Sequence, residues 1–390
     1  MDFRFSAAEE DFRTEIRSFL AAELPADWSR NSGGGNLGEG SDDAWQFLRS
    51  FQKKLSQKGW LTLGWPVEYG GKAAGVMQQV IYNEEMSYHR APTQLGVGPD
   101  RVGPTIILYG TDEQKERHLP GIANADSVWC QGFSEPGAGS DLAGLETKAT
   151  IDGDEFVVNG QKIWTSLAHK ADWCVLLVRT DQEAPKHKGI SYLLVDMRLP
   201  GITVAPLVDI TGRHAFNQIF FQDVRVPRDC LVGELNRGWY VGAATLDFER
   251  SGINRVVAGI RVYEELVEFA RQTMLADRDL ARIKLAELGI ELAAGKLLAY
   301  RVASMQAKGQ IPNAEASMSK MYGSELQQRI ARSGMQIMGL AGQLESGQWA
   351  PLAGRLEHYY LSTSGLTVAA GTTEIQKNII AGRGLGLPRG

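Results

Sequence analysis

Trp129-Cys-Gln-Gly-Phe-Ser-Glu-Pro-Gly-Ala-Gly-Ser-Asp141 is the stretch at which the chain changes character. It packs three glycines, two serines and flanking aromatics into thirteen residues. A Gly-rich turn lets backbone N–H groups approach a ligand where a Cβ would stand in the way. Aromatics beside such a turn suit a flat, conjugated partner. The Rossmann fingerprint is absent: after Gly137-Ala138-Gly139 the third-glycine position holds Leu142, with no strand, Gly-rich turn and helix around it. A nucleotide-bearing cofactor suits this loop, but not one held in the NAD manner.

Upstream, residues 1–128 read as helical. Ser6-Ala-Ala-Glu9 is a capping box, followed by Phe12, Ile16, Phe19 and Leu20 at helical spacing, with a stop before Pro25. A mobile loop around Gly33-Gly-Gly35 precedes a second helix with the stripe Trp45, Leu48, Phe51 and Leu55. Thr111-Asp-Glu-Gln opens another helix. Downstream, residues 129–235 read as an antiparallel β domain, a sandwich or barrel. Asp152-Gly153 and Asn159-Gly160 are both hairpin signals. Trp173–Val178, Tyr192–Val195 and Ile219–Val226 read as strands. From 236 to 390 the helical period returns, with Leu266, Phe269, Leu285, Leu288, Leu292, Leu297 and Leu298 as apolar faces. The expected fold class is therefore α+β: an all-α N-terminal domain, a middle β domain and a C-terminal four-helix bundle. Few architectures wedge one β domain between two helical ones.

Composition bounds the function. Of 390 residues 43% are hydrophobic and 22% charged, ample for large cores. A net charge of −5 with no basic tract argues against nucleic acid. Cys130, Cys174 and Cys230 are far apart and odd in number, which points to a reducing compartment; the chain reads as cytoplasmic, or as a mature matrix protein whose transit segment is gone. Six scattered histidines form no HxxxH or HExxH, so no protein-ligated metal is expected. The N-terminus has no signal-peptide pattern, and no apolar run approaches the roughly 18–20 residues of a membrane span.

The chain resembles the flavin-dependent acyl-CoA dehydrogenases. The likeness rests on Trp65-Pro-Val-Glu-Tyr-Gly-Gly71, Gly103-Pro-Thr through Gly110-Thr-Asp-Glu-Gln-Lys115, Ser134–Asp141, Asn159-Gly-Gln-Lys-Ile-Trp164 and Gly371-Thr-Thr-Glu-Ile-Gln376. These five motifs stand in the family's order on the family's helix–β–helix layout. The resemblance implies FAD between the β domain and the C-terminal helices. It implies that Phe133, Ser134, Gly139 and Ser140 line the isoalloxazine or the thioester. Trp164 would stack near the flavin, and Ser166 would hydrogen-bond its reactive edge. Gln336 and Gly339 match a segment that touches the adenosine half of FAD from a neighbouring subunit. Thr372 and Glu374 match contacts to the pyrophosphate and adenine region, where the family often has Gln rather than Glu.

The implied reaction removes an α-proton from an acyl-CoA and passes a hydride from the β-carbon to flavin N5, giving the trans-2-enoyl-CoA. An α-C–H beside a thioester is a very weak acid, so a carboxylate must reach it and donors must hold the enolate oxygen. Many members carry that carboxylate immediately before Gly-Thr in the C-terminal motif. Here the position is Ala370. Other members carry a Glu near the first long C-terminal helix, where this chain reads Leu246-Asp-Phe-Glu-Arg250. Glu249 is therefore the expected base. Asp247, about 200° away around a helix, is not. The resemblance implies that a backbone N–H at Ala370 and a flavin ribityl hydroxyl hold the enolate oxygen, with Gly371 beside the substrate and Arg250 near its CoA end.

One departure is visible: between Phe269 and Ala286 there is no Arg-x-x-Phe-Gly, a segment that in homotetrameric members reaches a neighbour's FAD. Three alternatives stay open beside an active homo-oligomer (dimer or tetramer). They are a hetero-oligomer with a paralogous subunit, a non-catalytic partner chain, and a flavin oxidase or monooxygenase on the same scaffold. For an active dehydrogenase the implied electron acceptor is an electron-transferring flavoprotein.

Overall fold

The computed structural model describes residues 5–26, 28, 42–93, 95–247, 252–275 and 278–388. The glycines at 33–35, Glu249 and Arg250 lie outside the described residues. In chain order come α1 (Ala7–Glu23), α2 (Asp42–Gln57), α3 (Val76–Tyr88), α4 (Gly103–Tyr109) and α5 (Asp112–Ala123). Strands follow as β1 (Trp129–Gly132), β2 (Lys148–Asp152), β3 (Glu155–Ser166), β4 (Trp173–Arg179), β5 (Ile190–Asp196), β6 (Ile202–Leu207), β7 (Phe216–Pro227) and β8 (Leu231–Val232). Then come α6 (Gly238–Asp247), α7 (Ile253–Gln272), α8 (Asp279–Ala307), α9 (Asn313–Met338), α10 (Arg355–Thr363) and α11 (Thr373–Ile379). Helices, strands and helices follow one another as the sequence implies. By compactness the described residues form two units: those of Met1–Gly35, Gly75–Ala91 and Arg250–Gly390, and those of Asn36–Ala74 and Pro92–Glu249.

The β unit is built on one eight-stranded sheet in the order β6-β7-β3-β2-β4-β5-β8, with β1 added beside β4. Most pairings are antiparallel; β1–β4 and the single contact of β2 with β4 are parallel. β4 and β5 are almost unbroken apolar runs, as strands covered on both faces must be. Asp152-Gly153 makes the tight β2–β3 hairpin. Asn159-Gly160 does not make a turn, contrary to the dipeptide rule. Both residues lie inside β3, opposite a bulge at Asp223 of β7, which has φ +50°. Asn159 fills the role of a turn by bonding across strands: its Nδ2 donates to Asp223 Oδ1 at 3.0 Å, and Asp223 N donates to its Oδ1 at 2.9 Å. Gly160 is required for closeness, since a Cβ there would sit 2.6 Å from Thr147 Oγ1.

His118 of α5 is edge-on to Trp129 and Trp173, whose rings stack 5.5 Å apart. Burial, with nearby Arg117, drives its pKa down from 6.5 to about 4.

In the helical unit Ser6 and Glu9 cap α1 reciprocally. Arg13 of α1 donates to Glu84 and Glu85 of α3 at 3.0 and 2.6 Å. Leu266, Leu285, Leu288 and Leu292 join Leu326 and Ile330 in one core between α7, α8 and α9. Leu297 departs from its expected place. With Leu280, Ile283 and Ile290 it faces outward from α8, so that helix is apolar on two sides.

The His118 site yields a pH prediction. Between pH 6.5 and 4 the unfolded chain takes up the proton that the folded chain refuses, so acidification through this window destabilises the fold. His118→Phe removes that contribution. Unfolding measured at pH 7 and pH 4.5 should show the wild type losing roughly 2–3 kcal/mol more than the variant. Equal losses would refute a buried neutral imidazole.

Candidate active site

The Gly-rich stretch leaves the sheet at Gly132, where a Cβ would meet Leu176 at 2.8 Å and Cys174 Sγ at 3.1 Å. Phe133 is buried, and the Ser134 carbonyl accepts from Ile163 N at 2.9 Å. Glu135 and Ala138 exchange both backbone bonds at 3.0 Å, closing a tight turn. Gly139 and Ser140 follow, and nothing lies within 4 Å of a Cβ built on Gly139.

This loop is tied down by one buried ion pair. Lys162 of β3 has no exposed surface; its Nζ donates to Glu135 Oε1 at 2.8 Å and to the Phe133 carbonyl at 3.0 Å. Glu135 also accepts from Glu146 N at 2.7 Å and Thr147 N at 2.9 Å. Burial works to raise the Glu135 pKa, but Lys162 and these amides outweigh it and hold the carboxyl below its ordinary range. For Lys162 burial wins and lowers the ammonium to about 8, which leaves it charged at neutral pH.

Two residues past Lys162, β3 bulges. Lys162 faces Ile219 and Thr165 faces Asn217, so β3 carries one residue more than β7 between these pairs. Trp164 takes up the surplus at φ +61°, and Leu167 sits at φ +57°. A left-handed Trp is costly, on the order of 1–3 kcal/mol, and persists only where its surroundings impose it. The result is an indole 57% exposed, edge-on to Phe216 at 5.8 Å. Ser166 ends β3, also exposed. Gln131 Oε1 and Thr165 Oγ1 are buried without a hydrogen-bond partner among the described residues. A buried orphan acceptor calls for a donor from elsewhere.

In the helical unit Ala370 (φ +55°) and Gly371 (φ +82°) form a left-handed pair. Buried Lys320 of α9 donates to the Gly371 carbonyl at 2.7 Å and the Leu366 carbonyl at 3.2 Å. Gln376 Nε2 reaches the Ala370 and Gly371 carbonyls at 3.2 and 3.3 Å. Thr372 caps α11 through Ile375 N at 3.2 Å. Glu374 is exposed in the first turn; its own backbone N–H and Thr372 lower its pKa. Gln336 is exposed on α9, and Gly339 ends that helix at φ +62°. Sixteen residues separate Lys320 from Gln336, about 24 Å along a helix axis.

The predicted residues thus form three clusters: Phe133, Ser134, Gly139, Ser140, Trp164 and Ser166 in the β unit; Ala370, Gly371, Thr372 and Glu374 at one end of α9; Gln336 and Gly339 at the other. Glu249 and Arg250 lie outside the described residues, two and three positions past the end of α6. No group of three metal-ligating side chains exists among the described residues, and no described helix is long and apolar enough to cross a membrane.

Models of the acyl-CoA dehydrogenase N-terminal, middle and C-terminal domains match residues 6–126, 130–224 and 236–385. The acyl-CoA dehydrogenase IpdE1 of Mycobacterium tuberculosis is 38% identical over 387 residues, 97% of this chain and 98% of that protein. The chain belongs to the acyl-CoA dehydrogenase family. Its members are flavin-dependent oxidoreductases, and this acyl-CoA dehydrogenase removes hydrogen across the α,β bond of an acyl-CoA thioester. The solved Tcur3481-Tcur3483 steroid ACAD superposes with a TM-score of 0.92 at 37% identity, covering all of both chains. The ChsE4-ChsE5 complex from Mycobacterium tuberculosis superposes at 0.89 and 36% identity, again over both full chains.

Sequence reasoning missed Glu135, Lys162, Gln131 and Asn217. The first two lie inside recognised motifs, but nothing in the spacing announces that they meet.

Lys162→Met strands the Glu135 carboxylate and should cost about 3–5 kcal/mol, whereas Glu135→Gln/Lys162→Met should recover most of that loss. The carboxyl contributes stability above its unfolded pKa of 4.5 and loses it as pH falls through the lower folded value. The gap in Tm between wild type and Glu135→Gln should therefore narrow below about pH 4. A constant gap would show that the charge is not what matters.

Proposed function

We propose that Glu249 is the base that takes the α-proton, with FAD held against the Ser134–Ser140 loop and the Trp164–Ser166 strand end. The observation that carries this is Ala370: the residue before Gly371-Thr372 has a methyl side chain, which accepts no proton. A second family position for the carboxylate is filled, by Glu249. Lys320 and Gln376 hold the carbonyls at 370 and 371, fixing the turn at whose start the Ala370 N–H would steady the enolate oxygen. When bound, FAD supplies the hydride acceptor. The protruding Trp164 indole and the orphan Gln131 acceptor support a flat ring bearing N–H donors at this place. Arg250 meets the CoA end of the substrate, and Thr372 and Glu374 serve the nucleotide half of the cofactor.

The substrate we infer is a bulky CoA thioester, of the steroid side-chain class; a fatty acyl-CoA is the simpler case. The support is the likeness to a steroid ACAD over the full chain. Electrons leave to an electron-transferring flavoprotein, and three buried thiols suit the cytoplasm. We divide the chain functionally at 128/129 and 235/236.

The assembly is an oligomer in which Gln336 and Gly339 serve a neighbour's FAD. Their distance along α9 from the Ala370–Thr372 turn and the outward apolar face of α8 both support this. The lack of a Phe-Gly segment, and the likeness to two-component enzymes, favour a paralogous partner over a second identical chain.

Glu249→Gln should keep the flavin spectrum and lose acyl-CoA-driven bleaching by a factor of order 10²–10⁴. Full bleaching at the wild-type rate would sink the assignment, and a panel of thioesters in the same assay ranks the substrates. FAD content of the protein purified alone, set against its mass in solution, tests the assembly: fewer than one FAD per chain is expected. One per chain in a homotetramer excludes the paralogous partner.

A further inference from the structure

We propose that Asn217, clamped between His169 and His214, is a positioning residue that sets the orientation of Ser166. Asn217 of β7 has no exposed surface. Its Nδ2 donates to the Thr165 carbonyl at 2.9 Å, at the first register pair beyond the Trp164 bulge. A carbonyl only accepts, so the amide orientation is fixed and Oδ1 faces the other way. There it meets His169 Nδ1 at 3.2 Å and His214 Nε2 at 2.7 Å. An amide oxygen also only accepts, so both rings present N–H to it. The rings stack at 4.2 Å with 28° between their planes, one on the turn after β3 and the other on the approach to β7.

The clamp acts through peptide planarity. The Thr165 carbonyl shares a rigid plane with the Ser166 N–H, so holding the oxygen orients the first atoms of Ser166. On either side the backbone is left-handed, at Trp164 and Leu167, a conformation that relaxes unless it is held. The buried Thr165 hydroxyl has no partner among the described residues to do the holding. The side chain of Asn217 does it, beside the β3–β7 pairing of Thr165 with Asn217 and Ser166 with Phe216, and the two imidazoles keep that side chain from rotating.

This inference rests on Ser166 meeting the reactive edge of the flavin. Asn217→Asp tests it, since a carboxylate of the same shape still accepts from both imidazoles but opposes the Thr165 carbonyl. In the holoenzyme, flavin reduction by acyl-CoA should slow about ten- to a hundredfold with acyl-CoA affinity unchanged. The flavin absorption bands and midpoint potential should shift as well. His214→Phe, which keeps the stack but loses the donor, should slow reduction, and His214→Gln, which restores an N–H, should recover it. Wild-type rates and spectra in both Asn217→Asp and His214→Phe would overturn the clamp. Should Asn217→Asp fail to fold, equal rates in the Phe and Gln variants of His214 overturn it alone. Ser166→Ala separates the two ideas: if it leaves the flavin spectrum and rate untouched, Ser166 is not at the flavin, whatever Asn217 does.

Discussion

A lysine ammonium with no access to water needs an anion, and at Lys162 the need shapes the site. The anion comes from Glu135, which reaches inward only because the chain turns back on itself at Glu135–Ala138. The same ammonium takes the Phe133 carbonyl, and the same carboxylate takes the amides of Glu146 and Thr147. One ion pair thus joins the exit of β1, the Gly-rich loop, the approach to β2 and the middle of β3. Removing charges from water is expensive, and such pairs contribute little net stability against an apolar alternative. What they impose is geometry: few arrangements of the loop satisfy both ions at once.

The layout of helices and strands was legible because it is periodic. The capping boxes at Ser6 and Thr111 and the Asp152-Gly153 hairpin rest on neighbours in sequence, and local chemistry decides them. Asn159-Gly160 shows where such chemistry yields. A strand long enough to span the whole sheet outweighs a two-residue turn preference, and the partner strand absorbs the misfit as a bulge at Asp223. On α8 the mismatch has another origin, since apolar residues predict burial without saying which chain does the burying. The ion pair and the Asn217 clamp were not legible at all. Apart from His214, three residues before Asn217, the partners are 27 to 52 residues apart, and only the β3–β7 register and the loop's return bring them together.

The two clusters proposed to serve the chemistry are built from unlike materials. In the β unit, side chains hold backbone in strained states so that an indole and a serine stand clear of the sheet. At the C-terminal turn the side chain at position 370 is no more than a methyl, and Lys320 and Gln376 grip the carbonyls around it. A position that supplies only backbone tolerates the exchange of a carboxylate for Ala, provided the proton acceptor moves elsewhere. That freedom is one physical reason why a fold can keep its reaction while its base changes helix.

The sulfur atoms have a further consequence. Cys130 and Cys174 face one another in register on β1 and β4, and Cys230 is also buried. Burial, reinforced by Cys174, pushes the Cys130 thiol well up, and burial, with the neighbouring Asp229 carboxylate, lifts Cys230 to about 12. Reduced flavins leak electrons to oxygen, and the peroxide so formed attacks thiolates rather than thiols. With the Cys130 and Cys230 thiols folded away and kept protonated, neither offers peroxide a thiolate to attack. Resistance of these thiols to oxidation is thus a by-product of the packing that closes the β unit.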